Sequence, residues 1–436
     1  MKEKEIIRNT YSVCPVCLKR LPARHVRVGS SVYMQKDCPE HGEFSTIIWR
    51  GYVDMSDWIG SVQEMGDEGN PNCPNDCGLC SYHAQDTCCT LLEVTDRCNL
   101  NCRFCFADNK GSPDPTLEQI RLWLNKLARP GETLVQLSGG EPTVRDDLPQ
   151  IVAAAKEAGC KYVQLNSNGI RLAQNKEYLE QLAQAGLSFV FMQFDGTEEE
   201  IYQRLRGRRL LEIKQRAIEN CADYNIGVTL VPTLVPGVNT HNIGDILRFA
   251  LSRSPVVRGV HFQPVSYFGR TPGLPEDDMR FTIDELLINI KEQAGDLIKL
   301  ENIIPSRCNH PLCGFHSNFV VMPDGPVPLS HRERAGEGCC GPTTAKQNRA
   351  FISRRWQRQI QNQDGGSCYC SKEPDINSME YFLQRVKTHG FTVTAMAFQD
   401  AGNIDLERLR RCSLHVFDKD RFVPFCSYYL SRWQYQ

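Results

Sequence analysis

The chain has almost no net charge. Its 436 residues carry 50 basic and 52 acidic side chains, a formal charge of -2. That balance gives no argument for nucleic acid or a membrane surface as a partner, because both are recognised by a field of one sign. Long apolar runs are missing as well: none reaches the ~18 residues a transmembrane segment needs. The opening, MKEKEIIRNTYSVCPVC, lacks the apolar core of an export signal, so a cytoplasmic location is expected. Cysteine, in contrast, is plentiful, with 21 residues. Without an export signal a disulfide framework explains them poorly. Metal ligation explains them better, since many stand at C-x2-C or C-x3-C spacing.

The cysteines gather at the two ends. Eleven precede residue 106, two lie between 106 and 307, and eight follow from 308 onward. The middle therefore reads as a scaffold and the ends as metal-binding modules. Residues 1–60 hold CPVC (14–17), a strand in SSVYMQKD and CPEHG (38–42), the pattern of a rubredoxin or zinc-ribbon knuckle pair. Cys14, Cys17 and Cys38 supply three ligands and His41 the fourth. His with Cys suits zinc, and four thiolates would suit a mononuclear iron. A segment at 70–90 follows, with CPNDCGLC at 73–80. There Cys73, Cys77, Cys80 and Cys88 can close an auxiliary four-thiolate [4Fe–4S] cluster, with Cys89 competing for the last place.

From 90 to 300, apolar runs alternate with helical periodicity. The runs TLLEV, TLVQLSG, KYVQLN, LSFVFMQF, GVTLVPTLV and RGVHFQPV each precede a helical pattern. Six such units in series predict parallel strands with right-handed crossovers. The expected fold class is α/β: a partial (β/α)6 TIM-like barrel, open on one side, between small metal-binding modules. Residues 301–436 break the rhythm and read as a C-terminal iron–sulfur domain. Cys308, Cys313, Cys412 and Cys426 make a second set of four there, for an auxiliary cluster, a zinc site or two unrelated pairs. The sequence DKD between Cys412 and Cys426 predicts a hairpin turn. Cys160 and Cys221 read as buried small apolar residues. Cys339, Cys340, Cys368 and Cys370, in a Gly-rich stretch, suggest a redox, substrate or further metal site.

The chemistry concentrates after the first barrel strand. VTDRCNLNCRFCFADN (94–109) carries Cys98, Cys102 and Cys105 at C-x3-C-x2-C spacing, at the strand end where such barrels place active sites. Three thiolates can hold three irons of a [4Fe–4S] cube and leave the fourth open. The other reading is a zinc knuckle with a distant fourth ligand. LSGGEPT (137–143) ends the second strand. Gly139 and Gly140 let backbone approach a ligand, and Glu141 can accept from an ammonium. LNSNG (165–169) offers Asn166, Ser167 and Asn168 to ribose hydroxyls. QFDGT places Asp195 at the fourth strand end, to touch substrate or cap the next helix. FQPVSYFGR (262–270) places Gln263, Tyr267 and Arg270 at the opening, to line a channel or close the rim.

The three cysteines with Phe104 directly before the last resemble the radical SAM superfamily. That resemblance implies a catalytic [4Fe–4S] cluster on Cys98, Cys102 and Cys105 that binds S-adenosylmethionine (SAM). It gives Phe104, Gly139, Gly140, Glu141, Asn166, Asn168 and Asp195 cofactor-binding roles. The order CPVC…CPEHG, CPNDCGLC, EVTDRCNLNCRFCFA, LSGGEPT, QFDGT, FQPVSYFGR and CSLHVFDKDRFVPFC is similar to one branch. It holds the archaeal tetraether lipid synthases and pterin-modifying radical SAM methylases, and most of all the bacterial radical SAM (seleno)protein group TrsS. The tetraether synthases imply a rubredoxin-like iron plus three [4Fe–4S] clusters. His41 and the Cys339–Cys370 stretch depart from that pattern. The activity implied is anaerobic reductive cleavage of SAM to a 5′-deoxyadenosyl radical. The radical would modify an unactivated carbon by C–C bond formation, methylation or C–S bond formation. A small molecule, lipid or peptide would be the substrate, and flavodoxin or ferredoxin the electron donor. The alternatives are a peptide-modifying maturase and a non-catalytic iron–sulfur electron carrier.

Overall fold

The computed structural model describes residues 4–60, 70–75, 77–107, 112–271, 275–332, 344–358 and 378–432. Cys339, Cys340, Cys368 and Cys370 lie outside the described residues.

The chain begins with a four-stranded antiparallel ribbon in sequence order: β1 (Lys4–Val13), β2 (Arg20–Val28), β3 (Ser31–Cys38) and β4 (Gly42–Trp49). In β3 every second residue is buried, which turns Val32, Met34, Lys36 and Cys38 to one face.

The central sheet follows: β5 (Cys89–Thr95), β6 (Leu134–Gly139), β7 (Tyr162–Ser167), β8 (Phe189–Gln193), β9 (Gly227–Val231), the short β10 (Thr233–Leu234) and β11 (Val257–Pro264). Strands β5, β6, β7, β8, β9 and β11 lie side by side in that order, all parallel. Both faces are covered, so the strands need near-continuous apolar runs. In β8 Phe189, Val190, Phe191 and Met192 are all buried. Each strand leads into one or two helices, at 117–127, 148–157, 170–174 with 176–184, 199–206 with 211–223, 243–252 and 283–294. Thr116 starts the first through a reciprocal capping box with Gln119.

The remaining strands are β12 (Ile304–Pro305), β13 (Gly314–Met322), β14 (Gly325–Pro328), β15 (Gly390–Met396), β16 (Leu414–Asp418) and β17 (Arg421–Pro424). Here the architecture goes beyond the six expected units. Strand β15 pairs parallel to β11 at one edge, and β16 pairs parallel to β5 at the other. The strap between them, 397–413, therefore runs from one edge of the six-strand sheet to the other. β16 and β17 form the expected hairpin, with Lys419 and Asp420 both at positive φ (46° and 65°), as a tight hairpin turn requires.

The ribbon packs on that strap. Thr10 Oγ1 donates to Asp405 Oδ1 at 2.9 Å, Ser12 Oγ to the Ile404 carbonyl at 2.6 Å and Lys36 Nζ to the Ala401 carbonyl at 2.6 Å. Arg8 pairs with Glu407, and His25 Nε2 lies 3.1 Å from Asp405 Oδ2. Cys160 and Cys221 are buried in the barrel core, as expected. Among the described residues, no helix is long and apolar enough to cross a membrane.

Candidate active site

Cys98, Cys102 and Cys105 sit on the loop after β5 and line one cavity of about 340 Å³. Two backbone N–H groups approach these sulfurs, Leu100 to Cys98 at 3.4 Å and Ala107 to Cys105. Burial pushes the metal-free Cys98 thiol up to about 12. The loop is clamped from the opposite strand end. Arg270 and Cys105 exchange backbone hydrogen bonds, and Arg270 Nη1 donates to Asn101 Oδ1 and, at 3.2 Å, to the Cys102 carbonyl. Phe104 lines the cavity and meets Tyr267 edge-on, centroids 6.1 Å apart. Tyr267 itself is buried, its hydroxyl on the Met279 carbonyl at 2.6 Å. It closes the rim, and Gln263, Val265 and Ser266 are the residues of that segment that reach the cavity.

The loop after β6 needs its glycines for a reason the sequence reading did not give. A Cβ on Gly139 would stand 2.1 Å from the Thr95 carbonyl, and one on Gly140 would stand 2.2 Å from the Arg97 carbonyl. The close approach is to the backbone leading into Cys98. Gly140 N–H and Glu141 N–H bond those same two carbonyls at 2.7 and 2.8 Å. Glu141 is fully buried and ties three segments together. Its Oε1 accepts from Thr143 N, Thr143 Oγ1 and Ser167 Oγ at 3.1, 2.7 and 2.8 Å, and Oε2 accepts from Asn168 N at 2.6 Å. Burial raises its carboxyl, against the pull of these donors. Asn168 lines the cavity and is tied into the cysteine loop. Its Nδ2 holds Asn99 Oδ1 at 2.7 Å, inside the cysteine loop, and its Oδ1 accepts from Ile170 N at 3.0 Å. Asn166 lines the cavity beside Ser138.

Asp195 departs from both expectations. It neither lines the cavity nor caps the following helix, whose first turn has no side-chain cap. Its carboxylate is buried against Arg206 in a two-pronged ion pair at 2.6 and 2.7 Å and also accepts from Thr233 N at 3.2 Å. Arg206, which the sequence reading missed, does line the cavity.

Beyond the thiols the cavity runs into the barrel. Gln136, Gln164, Asn166, Gln193 and Gln263 bring uncharged amides from β6, β7, β8 and β11. Phe191 and Trp356 form a wall with centroids 4.5 Å apart, and His261 packs on Phe191 at 5.5 Å. Burial holds the His261 imidazole down to about 4, so it stays neutral near pH 7.

The other cysteines fall into distinct groups. Cys14, Cys17, Cys38 and His41 place four ligand atoms within 4.8 Å of one another. Burial opposes ionisation of Cys38, but His41 at 3.4 Å and nearby donors bring its thiol down to about 6. Cys73 lies close to Cys77 and Cys80. Cys412 and Cys426 both lie close to Cys313. One contact was not expected. Cys88 and Cys308, one from each predicted set of four, pack in one cluster, with Asn348 Nδ2 3.3 Å from the Cys88 sulfur and Ser413 Oγ 3.3 Å from that of Cys308. Cys88 also lines the inner part of the cavity.

Comparison with known proteins bears on this arrangement. Residues 92–250 match the family described as the Radical SAM superfamily, and residues 6–50 match the HMPTM N-terminal zinc ribbon domain. The chain is 34% identical to 7,8-dihydro-6-hydroxymethylpterin dimethyltransferase of Methanocaldococcus jannaschii, over 97% of this chain and 93% of that protein. It is 31% identical to Fe-coproporphyrin III synthase of Methanosarcina barkeri, over 48% of this chain and 50% of that one. To the PqqA peptide cyclase of Rhodopseudomonas palustris it is 27% identical, over 61% and 72%.

Proposed function

The chain belongs to the radical SAM superfamily, and from that premise we propose that it methylates an unactivated carbon of a small, flat nitrogen heterocycle of the pterin kind. One observation carries the reading: the three loop thiols and a lining of uncharged amides with an aromatic wall share a single cavity. A relative named for acting on such a ring, similar over nearly the whole chain, supports it.

Three thiols on one loop, all facing the cavity and two of them met by backbone N–H groups, fit a [4Fe–4S] cluster with one iron left open. When bound, that cluster and SAM supply a 5′-deoxyadenosyl radical able to take hydrogen from an unactivated carbon. The chain's own residues then have three tasks. Glu141, Asn168 and Arg270 fix the cysteine loop against the strand ends. Asn166 and Ser138 offer polar atoms at the cavity wall near the thiols. Gln136, Gln164, Gln193 and Gln263 each offer a donor and an acceptor without charge, the pairing an amide-edged ring needs. Phe191 and Trp356 give the ring a face to pack on and keep water away.

In this reading Cys14, Cys17, Cys38 and His41 hold zinc, for which a closed Cys3His set is suited. The remaining cysteine groups hold auxiliary clusters, and a flavodoxin or ferredoxin supplies the electron. The test is product analysis. The anaerobically reconstituted protein is given SAM, dithionite, a one-carbon donor and 7,8-dihydro-6-hydroxymethylpterin. Pterin products heavier by one or two methylene units are expected. Pterin returned unchanged while 5′-deoxyadenosine accumulates with an added peptide or lipid extract overturns the substrate assignment.

A further inference from the structure

We propose that His261 is a specificity-determining residue of the cavity: its Nε2 accepts a hydrogen bond from a ring or amino N–H of the bound heterocycle. The inference rests on the reading that a pterin-like ring occupies this cavity.

Three neighbouring strands fix the position. His261 on β11 stands abreast of Thr394 on β15, and Thr394 abreast of His316 on β13. All three residues line the cavity. His261 is 9% exposed. Its Nδ1 lies 2.7 Å from Thr394 Oγ1. Phe191 packs against the imidazole with centroids 5.5 Å apart and planes at 36°. One ring nitrogen and one ring face are held in this way. Among the described residues no group meets Nε2, which is left to the cavity. The N–H of the aromatic wall does not reach it, because Trp356 Nε1 donates to Thr392 Oγ1 at 3.0 Å. His316 lines the same wall, but among the described residues no hydrogen bond orients its ring.

The hydrogens can be counted. Thr394 Oγ1 turns its one hydrogen toward the Val260 carbonyl at 3.5 Å, so it accepts from Nδ1–H. A neutral imidazole has a single N–H, and burial keeps His261 neutral. Nε2 therefore presents a lone pair. The glutamines of the same lining differ in kind. Each amide ends in a donor and an acceptor and can turn to offer either. His261, its tautomer set from behind by Thr394, can meet only a donor. A ring nitrogen without hydrogen would set lone pair against lone pair there. A buried site built to pair with an N–H rejects ligands that lack it far more strongly than an apolar pocket rejects a misfit.

The experiment measures the dissociation constant of 7,8-dihydro-6-hydroxymethylpterin on the reconstituted full chain with SAM, by anaerobic equilibrium dialysis. Iron and sulfide are measured for each variant. His261→Phe keeps a flat ring against Phe191 and removes the acceptor, and it is expected to raise the constant at least tenfold. His261→Gln restores an acceptor and is expected to bind more tightly than His261→Phe. A role in packing alone predicts the reverse order. Binding by His261→Phe that equals the wild type, or exceeds that of His261→Gln, overturns the inference. Should His261→Phe take up no cluster, Thr394 decides. Thr394→Val is expected to raise the constant severalfold and Thr394→Ser to restore it, whereas wild-type binding by Thr394→Val overturns the inference. A wild type that binds no dihydropterin removes the substrate reading and this inference with it. Wild-type binding that His261→Phe retains removes this inference alone.

Discussion

Arg270 and Cys105 exchange two backbone hydrogen bonds, from Arg270 N to the Cys105 carbonyl at 2.9 Å and from Cys105 N to the Arg270 carbonyl at 3.2 Å. The pair joins the loop after the last of the six barrel strands to the loop after the first. That closes a ring of backbone contacts around the three thiols.

The closure depends on Gly269. It has φ +75°, and a Cβ there would stand 2.2 Å from the Cys105 carbonyl. Gly269→Ala is therefore expected to displace the cysteine loop and cut iron and sulfide uptake severalfold. Gly207 has a similar φ of +71° with nothing within 4 Å of its Cβ position. Gly207→Ala carries the same backbone strain without the clash and should keep its cluster. Chemical iron and sulfide analysis of both proteins checks this.

Glu141 is surrounded by donors on both oxygens. In Glu141→Gln the amide NH2 must face at least one N–H or O–H that now donates. Leaving such a buried group unsatisfied costs about 1–3 kcal/mol. The expected outcome is a tenfold or greater rise in the SAM dissociation constant with cluster content retained, read by equilibrium dialysis.

Cys88 and Cys308 pack in one cluster, so they should act as one unit. Groups that share one site are strongly non-additive. Cys88→Ser, Cys308→Ser and the double variant should lose the same amount of iron. Losses in the double variant equal to the sum of the singles would place the two thiols in separate sites.

Asp405 lies at the junction of ribbon and strap, accepting from Thr10 Oγ1, Glu407 N and Arg408 N. Burial works against its ionised form, but His25, with the nearby charge of Arg8, prevails and holds the carboxyl far below its ordinary value. A carboxyl lowered in the folded state stabilises it above the unfolded value of about 3.9, and that contribution fades as pH falls further. Asp405→Asn is expected to cost about 3–5 kcal/mol at neutral pH, the usual effect of breaking a buried pair. The difference from wild type should shrink below about pH 4, as followed by denaturant unfolding across pH.

Local pattern carried much of this fold. The six apolar runs each became a parallel strand because a strand covered on both faces needs an unbroken apolar run. The spacing of Cys14, Cys17, Cys38 and His41 anticipated their meeting because two knuckles on one antiparallel ribbon bring their tips together. The rest depended on distant pairings. Nothing in Gly390–Met396 or Leu414–Asp418 announces that these strands extend opposite edges of the barrel sheet. Arg206 is one of two arginines on a polar helix, and its inward turn becomes visible only once Asp195 is placed beneath it. Glycines 139 and 140 stood out in the sequence, but the partner they approach, the backbone before Cys98, is fixed only by the sheet.

The most direct measurement is the anaerobic formation of 5′-deoxyadenosine from SAM and dithionite by the reconstituted protein. It is set beside the Cys98→Ala/Cys102→Ala/Cys105→Ala chain, which keeps the other cysteine groups. The account predicts 5′-deoxyadenosine from the wild type alone. Equal amounts from both proteins, or none from a wild type with its cluster in place and the pterin substrate present, would contradict it.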